Sequence, residues 1–347
     1  MSKKKLIIFG GSFDPIHKGH LKIAIKAFKK IKANKLFFVP CKNHPQNKHL
    51  SASDQQRVDM IKLMIKGINN FEICEYELGL NDVSYTLNTI NFFKQEYQDY
   101  DLYLLIGYDQ LKNFKSWHEY KQILESVKLI CHKRKIEKDS IIPDDIPFIK
   151  IGMWNINANS SSLKIYPKSK FLDKEVEKYI NENGVYAIDR LKTVMGEYRL
   201  EHSIRVAELA KQIAKENKYY TLLNKAYVAG LYHDYAKEFK EDVVLKYAKK
   251  LKIKKFPSWK VLHGPVGAYV LRKRYNIDDY QILTAIKNHV IPEDKSILVK
   301  IVYCADKLDV RVDGELPERN KLIKICKKDI NEGFDLVVNK LKEIYEN

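Results

Sequence analysis

A chain of 347 residues, 45% of them hydrophobic, is long enough for two domains with separate cores. No apolar run reaches the roughly 20 residues that span a bilayer. The leading LIIFGG is too short, and too soon broken by glycine, for a secretory signal, so a cytoplasmic protein with no membrane partner is expected. The formal charge of +18 is spread along the whole chain and accompanies an abundance of Lys, Asn, Ile and Tyr. It therefore makes nucleic acid a disfavoured partner, while a positive field still attracts phosphate-bearing small substrates. The five cysteines, at 41, 74, 131, 304 and 326, form no CxxC pair, which argues against a disulfide framework or a thiolate zinc site.

In chain order, KLIIFGG reads as a buried strand and GHLKIAIKAFKKI as a helix with Leu21, Ala24, Ile25, Phe28 and Ile31 at helical spacing. KLFFVP is a second strand, closed by Pro40. A helix follows over SDQQRVDMIKLMI, with Ser53 as its N-cap. FEICEYEL, the helix YTLNTINFFKQEY, the strand DLYLLIG, the helix WHEYKQILESV and the strand KLICH continue the alternation. Strands alternating with helices imply parallel βαβ units, hence an α/β doubly wound parallel sheet with ligands at the carboxyl ends of its strands. After VEKYINENGVYAI the strand signals fade, and long amphipathic helices run from Leu191 to the end. Two domains are expected: an α/β domain over 1–190 and an all-α domain over 191–347.

The first polar constellation is GGSFDPIHKGH. It has neither the GK[ST] ending of a P-loop nor the complete GxGxxG of a dinucleotide fold. What it offers is a strand, Gly10 and Gly11, a turn through Asp14 and Pro15, and then His17 and His20 where a helix begins. A helix N-terminus presents unpaired N–H groups and the positive end of a dipole to phosphate oxygens, and glycines let a ligand approach the backbone. Two imidazoles there could donate hydrogen bonds as charge builds up in a transition state. The competing and less favoured reading is that one histidine caps a turn while the other packs.

These residues resemble the signature of the nucleotidyltransferase superfamily with the HxGH motif, and in detail the bacterial nicotinate mononucleotide adenylyltransferases. The resemblance extends over most of residues 5–186. It implies a Rossmann-like nucleotidyltransferase fold that transfers the adenylyl group of ATP, with Mg²⁺, to nicotinate mononucleotide, giving nicotinate adenine dinucleotide and pyrophosphate for NAD biosynthesis. By the resemblance Gly10, Gly11, Ser12, Phe13 and Asp14 line the nucleotide site. SYTLNT matches the segment that contacts the nicotinate ring, through Ser84, Tyr85 and Thr86. LLIGYDQLKNFKSWHEYKQI matches the segment that places Gly107, Asp109 and Trp117 at the substrates, and RVDM brings Arg57. The family's lysine-bearing loop corresponds to NHPQNK, where Lys48 takes the lysine's place. Its closing phosphate-binding segment corresponds to NSSSLK, with Ser160, Ser161 and, where the family has arginine, Lys164; a lysine keeps the charge without the bidentate fork. His17 and His20 would stabilise the phosphates, with Lys48 and Lys164 assisting on the leaving side.

The all-α half carries its own set: His202, the doublet His233-Asp234, His263, His289 and Asp306. Imidazole and carboxylate without thiolate suit divalent iron or manganese, and a shared Asp234 could bridge two ions. Over residues 192–313, EHSIRVAELA, LYHDYAKE, LHGPVGAY and VYCADKLDVR resemble the HD-superfamily phosphohydrolases, in particular the bacterial branch associated with symmetrical diadenosine tetraphosphate hydrolysis. By that resemblance His202, His233, Asp234 and Asp306 form one metal site and Asp234, His263 and His289 a second, and a metal-activated water attacks a dinucleoside polyphosphate. VIPED, after His289, stands where that branch has a threonine- and glycine-rich segment. A bifunctional enzyme is therefore expected. Its rivals are a transferase with a catalytically silent, regulatory helical half, and a basic RNA-binding protein.

Overall fold

The computed structural model describes residues 3–42, 50–80, 85–134, 145–154, 159–167, 170–310 and 316–346. The candidate residues Lys48 and Ser84 lie outside them. The chain divides into two compact units, Met1–Val176 and Glu177–Asn347.

The first unit is built on six parallel strands: β1 (Lys4–Gly11), β2 (Lys35–Pro40), β3 (Phe71–Ile73), β4 (Tyr100–Gly107), β5 (Lys128–Arg134) and β6 (Phe148–Trp154), in the order β3-β2-β1-β4-β5-β6. The doubly wound sheet read from the sequence is thus present. Leu6, Ile7 and Ile8 of β1 are all fully buried, as befits a central strand covered by helices on both faces. From β1 the chain winds to β2 and β3 on one side, then crosses to β4 on the other. The carboxyl ends of β1 and β4 therefore flank the switch point where such sheets bind ligands, and they end in Gly10-Gly11 and Gly107. The sequence reading did not single out β6, which pairs with β5 along the sheet edge.

Local chemistry sets the helices. Ser53 caps helix Asp54–Ile65 as expected: its Oγ accepts from the Gln56 N–H at 3.2 Å, and Gln56 Oε1 accepts from the Ser53 N–H at 2.9 Å. Helix Lys18–Ile31 buries Ile23, Ala24, Ala27 and Ile31 on one face and ends at Lys32 in the left-handed region.

The second unit is all helical. Its principal helices are Glu197–Glu216, Leu223–Tyr232, Glu241–Lys250, His263–Tyr275, Tyr280–Asn288, Ile297–Lys307, Arg319–Lys328 and Ile330–Glu346, packed around one core. It begins earlier than the expected 190/191 boundary because residues 177–190 bond within it. The Asn276 side chain donates to Glu177 Oε1 at 2.9 Å, the Asn181 side chain to the Tyr275 carbonyl at 2.8 Å, and Arg190 to the Tyr232 hydroxyl at 3.2 Å. Among the described residues no helix is long and apolar enough to cross a membrane.

Candidate functional site

At the end of β1 the backbone turns through Ser12–Pro15 and enters helix Lys18–Ile31, whose N-cap is His17. The histidines do cap, and reciprocally. His17 Nδ1 accepts from the Gly19 N–H at 3.1 Å, while His20 Nδ1 accepts from the His17 N–H at 3.2 Å. The rings stack with centroids 3.8 Å apart. Since each Nδ1 is an acceptor, the neutral rings must carry their protons on Nε2, so each presents a donor. The cap therefore selects the tautomer that can donate.

The loop before the helix is held from below and behind. Phe13, at φ 47°, buries its ring against Phe9, Phe38 and His20, so its side chain is core rather than ligand-facing. Asp14 is buried and accepts from the Ser51 and Ala52 N–H groups at 3.0 and 3.1 Å. It also pairs with Lys164 at 2.5 Å, and Lys164 reaches Ser51 Oγ at 2.8 Å. Arg57 is fully buried, donating to the Ser12 carbonyl at 2.9 Å and to Asp54 at 2.6 Å. Ser160 donates to the Pro15 carbonyl at 3.0 Å, and Ser161 is exposed. Arg57, Asp14 and Ser160 thus shape the loop through their own bonds to protein. A Cβ on Gly10 would meet nothing within 4 Å, so the backbone there lies open.

Around the end of β4, Gly107 caps the short helix Tyr108–Lys112; Asp109 is exposed, and its carboxylate lies where a Cβ on Gly107 would be. Trp117 is partly buried against Phe114, centroids 5.1 Å apart. Tyr85 precedes Thr86, the first residue of its helix, and lays its exposed ring against His118 at 4.3 Å. His118 was not singled out from the sequence, although it directly follows Trp117.

In the helical unit five elements bring six side chains to one place. His202 comes from helix Glu197–Glu216 and Asp306 from helix Ile297–Lys307. His233 and Asp234 follow helix Leu223–Tyr232, His263 opens its helix, and His289 closes helix Tyr280–Asn288. All six are buried. Asp234 stands between two pairs of imidazoles. Its Oδ2 lies 3.8 Å from His202 Nε2 and 3.7 Å from His233 Nε2, and its Oδ1 lies 3.0 Å from His263 Nε2 and 3.6 Å from His289 Nε2. Asp306 Oδ1 is 3.3 Å from His202 and 3.6 Å from His233. Ligand atoms fall within 4.8 Å of one another in three groups: His202, His233 and Asp234; His233, His289 and Asp306; and Asp234, His263 and His289.

The outer ring nitrogens explain this orientation. Nδ1 of His233, His263 and His289 bonds the carbonyls of Gly230, Lys260 and Ile286, each at 2.7 Å. Nδ1 of His202 instead bonds Asp309 Oδ2 at 2.8 Å. With every Nδ1 engaged outward, the Nε2 atoms converge on the carboxylates, a donor set that fits divalent cations. Burial opposes the charge on Asp234 and Asp306, but their neighbours, His233 for the first and Lys307 for the second, hold both well below the usual carboxylate range. Burial also pushes His233 down to about 4 and lowers His263. Charged acids beside neutral imidazoles are the protonation states a cation requires. For His202, burial is outweighed by hydrogen bonds to Asp306 and Asp309, which raise it to about 9. Two cations adjoin the cluster: Arg199 pairs with Asp234 Oδ2 at 2.7 Å, and Lys307 with Asp306 Oδ2 at 2.7 Å.

Fold and sites together define a nucleotidyltransferase-type α/β unit joined to a metal-binding helical unit. Residues 8–181 match the cytidylyltransferase-like family and residues 199–311 the HD domain. The chain is 38% identical over 352 aligned positions, covering 99% of this chain and all of the relative, to the Mycoplasma genitalium protein named "Probable nicotinate-nucleotide adenylyltransferase/Ap4A hydrolase". A Mycoplasma pneumoniae protein of the same name is 33% identical, over 98% of this chain and all of its own length. A Methylacidiphilum infernorum protein named "Probable nicotinate-nucleotide adenylyltransferase" is 35% identical over 54% of this chain and 94% of its own. The chain belongs to the cytidylyltransferase-like family, in the branch that carries an HD domain behind the transferase fold.

Proposed function

We propose that the first unit transfers the adenylyl group of ATP to nicotinate mononucleotide, releasing pyrophosphate, and that the second hydrolyses a dinucleoside polyphosphate. The observation that carries the transferase reading is the reciprocal capping of His17 and His20 at the carboxyl end of β1, beside the switch point. The mononucleotide phosphate attacks the α-phosphorus of ATP and pyrophosphate leaves, so positioning and charge stabilisation account for the rate. The Nε2–H groups of His17 and His20 donate to phosphate oxygens as charge moves to the leaving group. Gly10 lets those oxygens approach the backbone, whereas the space beside Gly11 is filled by the Phe13 ring. Lys48 carries positive charge to the leaving pyrophosphate, which travels with Mg²⁺, while Lys164, paired with Asp14, braces the loop beside it. Tyr85, Thr86, Asp109 and Trp117 receive the nicotinate and ribose groups.

In the helical unit, His202, His233, Asp234 and Asp306 would hold one ion, and Asp234, His263 and His289 a second; donors without thiolate favour iron or manganese. Such ions supply Lewis acidity and a water made nucleophilic near neutral pH. Arg199 and Lys307 set positive charge beside the ligands, where a polyphosphate chain brings negative charge. This complete ligand set counts against a silent helical half.

Incubating the protein with ATP, Mg²⁺ and each mononucleotide in turn should give dinucleotide and pyrophosphate with the nicotinate form. No product with either form would overturn the transferase reading. Diadenosine tetraphosphate should be split only by metal-loaded protein, and a His233→Ala/Asp234→Ala variant that still binds metal and hydrolyses would overturn the second.

A further inference from the structure

The four imidazoles of the HD cluster are not equivalent. Three rest Nδ1 on a main-chain carbonyl, whereas His202 alone rests it on a carboxylate, Asp309, at 2.8 Å. Asp309 is itself buried and anchored from its far side by Arg205, with Nε to Oδ1 at 3.0 Å and Nη2 to Oδ2 at 2.8 Å. The side chain that steers His202 is thus fixed by a bidentate guanidinium, the most directional cation a protein has. A carboxylate behind an imidazole makes its inner nitrogen a stronger donor than a carbonyl can, and sets its angle.

The inequality lies on one side of Asp234. The position served by Asp234 Oδ2 also has His202, His233 and the second carboxylate Asp306, whereas the position served by Oδ1 has His263 and His289, of which His289 also lies within 4.8 Å of His233 and Asp306. One position therefore combines two carboxylates with the one carboxylate-backed histidine; the other shares a single carboxylate and has two carbonyl-backed histidines.

Building on the two-ion reading above, we propose that the Arg205–Asp309 pair is a positioning device that makes the two metal positions unequal. The His202 side fills first and holds its ion, and the His263/His289 side takes the weaker, exchangeable ion. Asp309 touches neither ion nor substrate and acts through His202.

The test is calorimetric titration of the full-length, metal-stripped protein with Mn²⁺. Two resolved steps are expected. Asp309→Asn, which keeps the shape and removes the charge, should weaken the tighter step by about 10–100-fold and leave the weaker one in place. Asp309→Glu should recover part of the loss, a rescue that mere packing would not give. Arg205→Gln, which leaves Asp309 intact but unanchored, should weaken the same step to a smaller extent, and it reports independently if Asp309→Asn folds poorly. Thermal melting of each full-length variant, followed at the transition of the helical unit, controls for its folding. Equal steps in the unaltered protein, loss from the weaker step alone, or an unchanged tighter step in Asp309→Asn would overturn the proposal while leaving the two-ion reading intact. No Mn²⁺ uptake by the unaltered protein would overturn that reading as well.

Discussion

His17 has two duties that substitution can separate. As N-cap it accepts the Gly19 N–H, and as a donor it meets phosphate through Nε2. Asparagine is a favoured N-cap without an imidazole. His17→Asn should therefore keep stability within about 0.5 kcal/mol while kcat for adenylyl transfer falls about 10²–10³-fold. His17→Ala should show the same kinetic loss plus about 1 kcal/mol of destabilisation from the missing cap. Urea unfolding and steady-state kinetics on both variants check this; full transfer by the Asn variant would reduce His17 to a cap. The histidine pair was legible in the sequence because its setting is local: strand, glycines, turn and helix start lie within one short run. The Asp14–Lys164 tie and the Asp309–His202 bond were not, since each joins residues far apart in the chain that meet only after packing. Asp309 left one trace, its place three residues beyond Asp306, just past the end of helix Ile297–Lys307. That trace has no meaning until helix Glu197–Glu216 lies alongside.

Between elements, the HD cluster depends on how closely its helices approach. A Cβ on Gly264 would stand 2.7 Å from the Lys287 carbonyl and 3.0 Å from that of Ile286. Both are backbone atoms that cannot swing aside, so helices His263–Tyr275 and Tyr280–Asn288 would have to part. The Ile286 carbonyl is also the acceptor that orients His289 Nδ1. Gly264→Ala should thus destabilise the protein by about 1–3 kcal/mol and lower the occupancy of the His263/His289 position. Thermal melting and metal analysis read the two effects, and a variant with unchanged melting and metal content would show that the close approach is unimportant. The ligand residues were legible from their order H…HD…H…H…D, but the glycine that lets two of them meet was not, because close approach is a property of a helix pair. The sheet shows the same limit. The edge strand β6 is defined by its pairing with β5.

At the scale of the whole chain, the sequence conveyed two classes of architecture and one boundary, and the boundary was the part that tertiary packing moved. The disappearance of strand periodicity marks where the sheet ends, not where the helical core begins recruiting chain. All five cysteines are free and buried, and burial pushes Cys41 up to about 11. A thiol reagent at neutral pH should therefore label almost none of them in the native protein and all five in urea, and rapid native labelling would contradict the packing. The segment 177–190 provides the sharper test. Val185 and Tyr186 are buried, Ala187 belongs to the helical core, and Arg190 sits over the Tyr275 ring at 4.9 Å while bonding Asn181 at 3.0 Å. A fragment starting at 191 loses these contacts and exposes the Tyr275 carbonyl that Asn181 satisfied, at a cost of about 3 kcal/mol or more. Fragment 177–347 should accordingly melt about 10 °C above fragment 191–347 and bind metal more tightly. Equal melting of the two would return the functional boundary to 190/191 and make the intervening helices a linker.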